Sequence, residues 1–100
     1  MRSWFAANGS IGTEKHMRIY MQTLPQTGTS PRYYHLVLQE DLLEGWTLIK
    51  ETGYQGSKGK LTKQHYPSQE EALGAMLQAR DAQLKRGYQV VFVQGQNRPE

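Results

Sequence analysis

The stretch Trp46–Tyr66 limits what this chain can become more than any other. Two runs rich in β-forming residues, Trp46–Lys50 and Leu61–Tyr66, flank a segment with Gly53, Gly56 and Gly59 at intervals of three. Glycine admits the positive φ that a tight bend requires, so the stretch reads as a long antiparallel hairpin. Lys50, Lys58, Lys60 and Lys63 are opposed only by Glu51, so the hairpin carries as much formal charge as the whole chain, +3. If the protein binds an anion, the hairpin is where it is expected to do so. The same lysines would equally keep a sheet edge from pairing with another chain.

A glycine-rich turn ending in Gly59-Lys60 invites comparison with phosphate loops, and the spacing rejects it. Five residues separate Gly53 from Gly59 where a P-loop has four, and Leu61 follows Lys60 where the metal-binding hydroxyl belongs. A dinucleotide fingerprint needs glycine at position 54, which is Tyr54.

With 100 residues the chain suffices for one sheet and one helix around a single core. Twelve basic against nine acidic residues suit phosphate contact without the excess that alone announces nucleic-acid binding. The absence of cysteine excludes disulfides, thiolate zinc sites and a cysteine nucleophile. No apolar run reaches the roughly 18 residues of a membrane span, and no contiguous apolar export segment opens the chain. The reading is therefore of a cytoplasmic protein that engages no membrane.

Residues 1–16 mix Gly9, Ser10, Gly12 and Thr13 with isolated Trp4, Phe5 and Ile11, without strand or helix periodicity. They read as a flexible tail or a loosely attached extra strand. His16-Met17 is also a pair that cloning at a start codon often leaves, so part of this segment reads alternatively as a leader.

A first strand is expected over Arg18–Leu24, closed by Pro25, Gly28 and Pro31. The next, Arg32–Glu40, sets Tyr34, Leu36 and Leu38 on one face and Tyr33, His35 and Val37 on the other. Asp41–Gly45 is a compact turn into Trp46–Lys50. Its carboxylates, with Glu40, lack the alternating ligands of a calcium loop.

Ser68 followed three residues later by Glu71 is a capping box. It opens a helix over residues 68–86, with Leu73, Met76, Leu77 and Leu84 predicted to face the sheet. Lys85 and Arg86 complement the C-terminal dipole, and Gly87 supplies the left-handed terminator. A final strand, Tyr88–Val93, precedes a polar tail over residues 94–100. The fold class is thus α+β: an antiparallel sheet of four to five strands with one helix on one face. Its expected core is Leu36, Leu38, Leu48, Ile49, Leu73, Leu77 and Leu84.

The order Tyr33-Tyr34-His-Leu-Val-Leu, Gly45-Trp46-Thr47-Leu48, Gly53-x-x-Gly56-x-x-Gly59, Ser68-x-x-Glu71-Ala72 and Lys85-Arg86-Gly87-Tyr88 resembles the WGR domain over residues 17–93. That family occurs in DNA-dependent poly(ADP-ribose) polymerases and in many bacterial proteins. The resemblance sets the namesake Trp-Gly-Arg triplet on Thr52-Gly53-Tyr54, so only the glycine is kept. In the polymerases the Trp stacks at a DNA end and the Arg contacts phosphate and neighbouring domains. Thr52 can do neither, whereas Tyr54 can stack but brings no charge.

Two functions follow as expectations. One is a nucleic-acid-binding module with Lys50, Lys58, Lys60 and Lys63 on phosphates and Tyr54, with Tyr66 a weaker candidate, stacking on bases of DNA ends or single strands. The other is a protein-interaction module meeting an acidic partner through the same loop or a sheet edge. Catalysis is not expected, and neither is a metal or cofactor. His35 and His65 have no carboxylate partner evident in sequence, and Ser57 has no evident base. Oligomeric state is left open.

Overall fold

Alternation of apolar and polar side chains over short runs, broken by proline and glycine, can bury only one face of each strand, so the strands need a common cover. In the computed structural model, which describes residues 16–95 apart from 27 and 43, five strands and one helix meet that need. The strands are β1 (His16–Thr23), β2 (Arg32–Glu40), β3 (Trp46–Tyr54), β4 (Lys60–Tyr66) and β5 (Tyr88–Gly95), with α1 (Gln69–Lys85) between the last two. They form one sheet in the order β4-β3-β2-β1-β5, every neighbouring pair antiparallel. The α+β class, the sheet and the single covering helix are as the sequence predicts.

Most strand boundaries move outward. His16 belongs to β1 rather than to a tail, Leu24 lies outside that strand, and β3 continues past Lys50 to Tyr54. β5 includes Gln94 and Gly95, which pair with Arg18 and Met17. The remaining residues assigned to tails, 1–15 and 96–100, lie outside the described part.

Register fixes two faces. Ile19 and Met21, Leu36 and Leu38, and Leu48 are fully buried beneath α1, with Tyr34 and Trp46 packed beside them. Ser68 caps the helix, its Oγ accepting the Glu71 N–H at 3.2 Å. Gly87 terminates it at φ +97°.

The helix is turned from the predicted orientation. Its buried residues are Ala72, Met76 and Gln83, whereas Leu73 and Leu77 are half-buried and Leu84 is 43% exposed. At about 100° per residue, the Leu73/Leu77/Leu84 stripe lies about one residue away from the Ala72/Met76/Gln83 stripe. Small Ala72, with Ala75 and Ala79 packed beside it, lets the helix backbone approach a sheet that already supplies bulky Met21, Leu36, Leu38 and Leu48. The leucines fall to the flanks. Ile49, also expected in the core, is half-buried on the opposite face, where its cross-strand partners are Val37 and Lys63.

Candidate nucleic-acid interface

Where β3 ends, the chain turns through Tyr54–Ser57, with the Ser57 N–H donating to the Tyr54 carbonyl at 3.0 Å and Gly56 at φ +84°. Only Gly56 of the three hairpin glycines needs a positive φ. Gly53 and Gly59 serve a different purpose, because a Cβ on Gly59 would stand 2.2 Å from Tyr33 Oη and 2.8 Å from the Thr52 carbonyl. A Cβ on Gly53 would lie 3.0 Å from Gly59 Cα and 3.4 Å from the Tyr33 ring. The two glycines clear a path for the Tyr33 ring, whose hydroxyl donates to Glu51 Oε2 at 3.0 Å.

Register sorts the predicted site residues between the faces. Lys50 pairs with Leu36 and Thr62, Lys60 with Thr52, and Tyr54 with Arg32, which places all of these on the α1 side of the sheet. Lys63 pairs with Ile49 and so lies on the opposite face, away from the others. Glu51 is there as well, held by Tyr33, so the carboxylate counted against the lysines does not face Lys50 and Lys60. Lys58 is exposed in the connection between β3 and β4. Tyr66 packs against the core opposite Trp46, at the far end of β4 from Lys60, and is not a surface ring of this site.

One cation that the sequence reading missed joins the group. The Arg32 guanidinium lies 5.7 Å from the Tyr54 ring centroid, in cation–π contact, while the ring remains half exposed. The Arg32 N–H donates to Thr23 Oγ1 at 2.9 Å and the Gln55 N–H to the Pro31 carbonyl at 2.8 Å, so β2 and the hairpin turn are tied together at this point. Arg86, the C-terminal cap of α1, acts electrostatically on the Tyr34 hydroxyl. Burial pushes the Tyr34 hydroxyl above its ordinary pKa, and Arg86 opposes that. Beside Tyr54 opens a depression of about 250 Å³ lined by Thr23, Leu24, Gln26, Thr29, Ser30 and Arg32. No sequence motif marks Arg32, since only the cross-strand register puts it against Tyr54.

On the uncovered face, Tyr20 lies edge-on to His35 at 5.5 Å, and His35 Nε2 is buried without a hydrogen-bond partner. Burial holds the His35 imidazole below its ordinary pKa; Arg18 adds to that and Glu51 opposes it. The unfolded chain therefore takes up the proton first as pH falls. This contribution to stability is complete above about pH 6.5 and is lost as pH drops through that value toward the lower folded one. The melting temperature is expected to fall between pH 7.5 and 5.5 more steeply than in His35→Gln. Parallel curves for the two proteins would contradict this.

The second candidate histidine, His65, does have a carboxylate. His65 Nδ1 lies 2.8 Å from Asp41 Oδ2, which also accepts the Thr47 hydroxyl at 3.0 Å, while Oδ1 accepts the Gly45 N–H at 3.1 Å. Asp41 and His65 are 24 positions apart, and Gly45 has no side chain because a Cβ there would meet the His65 ring and the Tyr66 carbonyl. The arrangement fastens the β2–β3 turn to β4. His65 sits opposite Thr47 and His35 opposite Glu51, four positions further along β3, so the two imidazoles do not form a pair.

A five-stranded antiparallel sheet with one helix on one face and a cationic, aromatic corner at the end of its long hairpin defines a small two-layer α+β module. The WGR domain family model matches residues 17–94, and the chain belongs to that family. Over 71 residues it is 28% identical to the uncharacterized protein y4dW of Sinorhizobium fredii, a match that covers 71% of this chain and 35% of that relative. The match thus spans about a third of the relative's length. No solved structure matches the chain. No helix among the described residues is long and apolar enough to cross a membrane.

Proposed function

We propose that this chain is a non-catalytic, cytoplasmic nucleic-acid-binding module that takes DNA ends or single strands at the Tyr54 corner. The observation that carries the reading is the Arg32–Tyr54 pair. At the position where the family's arginine would stand, the chain has an uncharged ring, and the neighbouring strand returns a guanidinium to that ring. Tyr54 offers the stacking surface, and Arg32, Lys50, Lys58 and Lys60 supply phosphate contacts around it. Lys63, on the other face, takes no part.

Counterion release from about four phosphates gives a slope near −3.6 in log K against log salt. In an Arg32→Gln, Lys60→Gln double variant the slope is expected to flatten by about 2 units, with weaker binding to every sequence. Tyr54→Ala is expected to weaken binding to single strands and frayed ends by about 1–3 kcal/mol while leaving the slope nearly unchanged, because stacking releases no counterions. Titrations followed by NMR with a 5′-phosphorylated duplex, a single strand and an acidic peptide provide the measurement. Shifts at Tyr54 and Lys60 with the peptide alone would replace this reading with that of a protein-interaction module.

A further inference from the structure

The two edges of the sheet are built on opposite principles. β4 carries Lys60, Lys63 and His65, and charge of this kind resists the addition of another strand. β5, at the other edge, has no charged residue from Tyr88 to Gly95, and its Val90, Val91, Phe92 and Val93 are between 39% and 54% exposed. Among the described residues no strand pairs with its outer side.

A second observation bears on the same edge. On the uncovered face, Tyr33, Tyr20 and Phe92 form a row with centroids 6.0 and 5.6 Å apart and planes within 14° and 12° of parallel. Tyr20 has a ring on either side. Among the described residues Phe92 has one only, on the side away from the sheet edge.

We propose that β5 pairs antiparallel with β5 of a second copy of this chain, joining two five-stranded sheets into one of ten strands. An isologous contact presents the same strand from both sides, so a strand without charge brings no like charges to the junction, whereas one bearing Lys60 and Lys63 brings the lysines of both copies to it. β5 is of the first kind and β4 of the second. Self-pairing satisfies the outward N–H and C=O groups of both strands and brings the two Phe92 rings toward each other, continuing the aromatic row across the junction. The two-fold axis stands perpendicular to the sheet, so both helices, and both Tyr54 corners, lie on the same side.

The experiment is light scattering and sedimentation on the full chain from micromolar to hundreds of micromolar, beside Val91→Lys, Val93→Lys and, on the other edge, Leu61→Lys. The expected result is twice the chain mass for the parent and for Leu61→Lys, and a single chain mass for either β5 variant at the same far-ultraviolet circular dichroism. Amide exchange on the unaltered chain keeps the test open should the variants fail to fold. In a self-paired edge the outward β5 amides gain protection as concentration rises across the association range. A monomeric parent at every concentration overturns the proposal. So does a dimer broken by Leu61→Lys but not by the β5 lysines, an open-ended series of larger species, or a monomer whose outward β5 amides are already protected, which would mean that the chain covers this edge itself.

Discussion

Leu36→Ala is expected to lower the free energy of unfolding by about 2–5 kcal/mol, read as a shift in the urea midpoint with the slope unchanged. Leu36 is fully buried on the central strand of the sheet, between Ile19 of β1 and Lys50 of β3, on the face that α1 covers. Truncation there removes buried methyl groups and leaves a cavity that Ile19, Met21, Leu38 and Met76 can close only in part, because each is itself fully enclosed. The effect at the helix differs from what the leucine spacing alone suggests. Leu84→Ala, at an exposed position, is expected to stay within about 0.5 kcal/mol of the parent, with Leu77→Ala between the two. A Leu84 loss equal to that of Leu36 would mean that the helix packs on its leucine stripe after all.

Gly59→Ala is expected to destabilise the fold by about 1–3 kcal/mol and to weaken DNA binding in the same variant. The added Cβ would stand 2.8 Å from the Thr52 carbonyl, which is backbone and cannot swing aside, and 2.2 Å from Tyr33 Oη, which can move only by giving up its hydrogen bond to Glu51. Moving Thr52 displaces Lys60, its cross-strand partner, and the strand end that carries Tyr54. Gly74→Ala provides the contrast, since that glycine lies inside α1 with nothing within 4 Å of its Cβ position. It should stabilise the protein by about 0.5–1 kcal/mol, the ordinary helical preference for alanine. Equal thermal stability of Gly59→Ala and the parent would show that the Tyr33 ring does not need the space that the glycine leaves.

The pattern in which Gly53 and Gly59 make room for Tyr33 while Gly56 alone makes the turn shows how one spacing can hide two physical causes. In sequence the three glycines look equivalent, because each could supply a positive φ. Only the cross-strand pairing of Tyr33 with Gly53 reveals that two of them answer to a side chain twenty or more positions away. The basic cluster behaves in the same way. Lysines close in sequence part company once the register of β3 and β4 is known: Lys50 and Lys60 share the α1 side, Lys63 leaves the group, and Arg32 enters it.

By itself the sequence determined the local elements: strand alternation in Arg32–Glu40, the Ser68–Glu71 helix start, the Gly87 stop, and hence an antiparallel sheet covered by one helix. These are legible because they depend on contacts within a few residues, where side-chain period and backbone preference act directly. The tertiary structure alone decided which stripe of α1 faces the sheet, since that depends on the bulk the sheet already supplies. It also brought Asp41 to His65 and Arg32 to Tyr54, pairs separated by more than twenty positions and joined only by strand register. A one-residue slip in that register would send each of these side chains to the other face, which is why no local pattern could announce them.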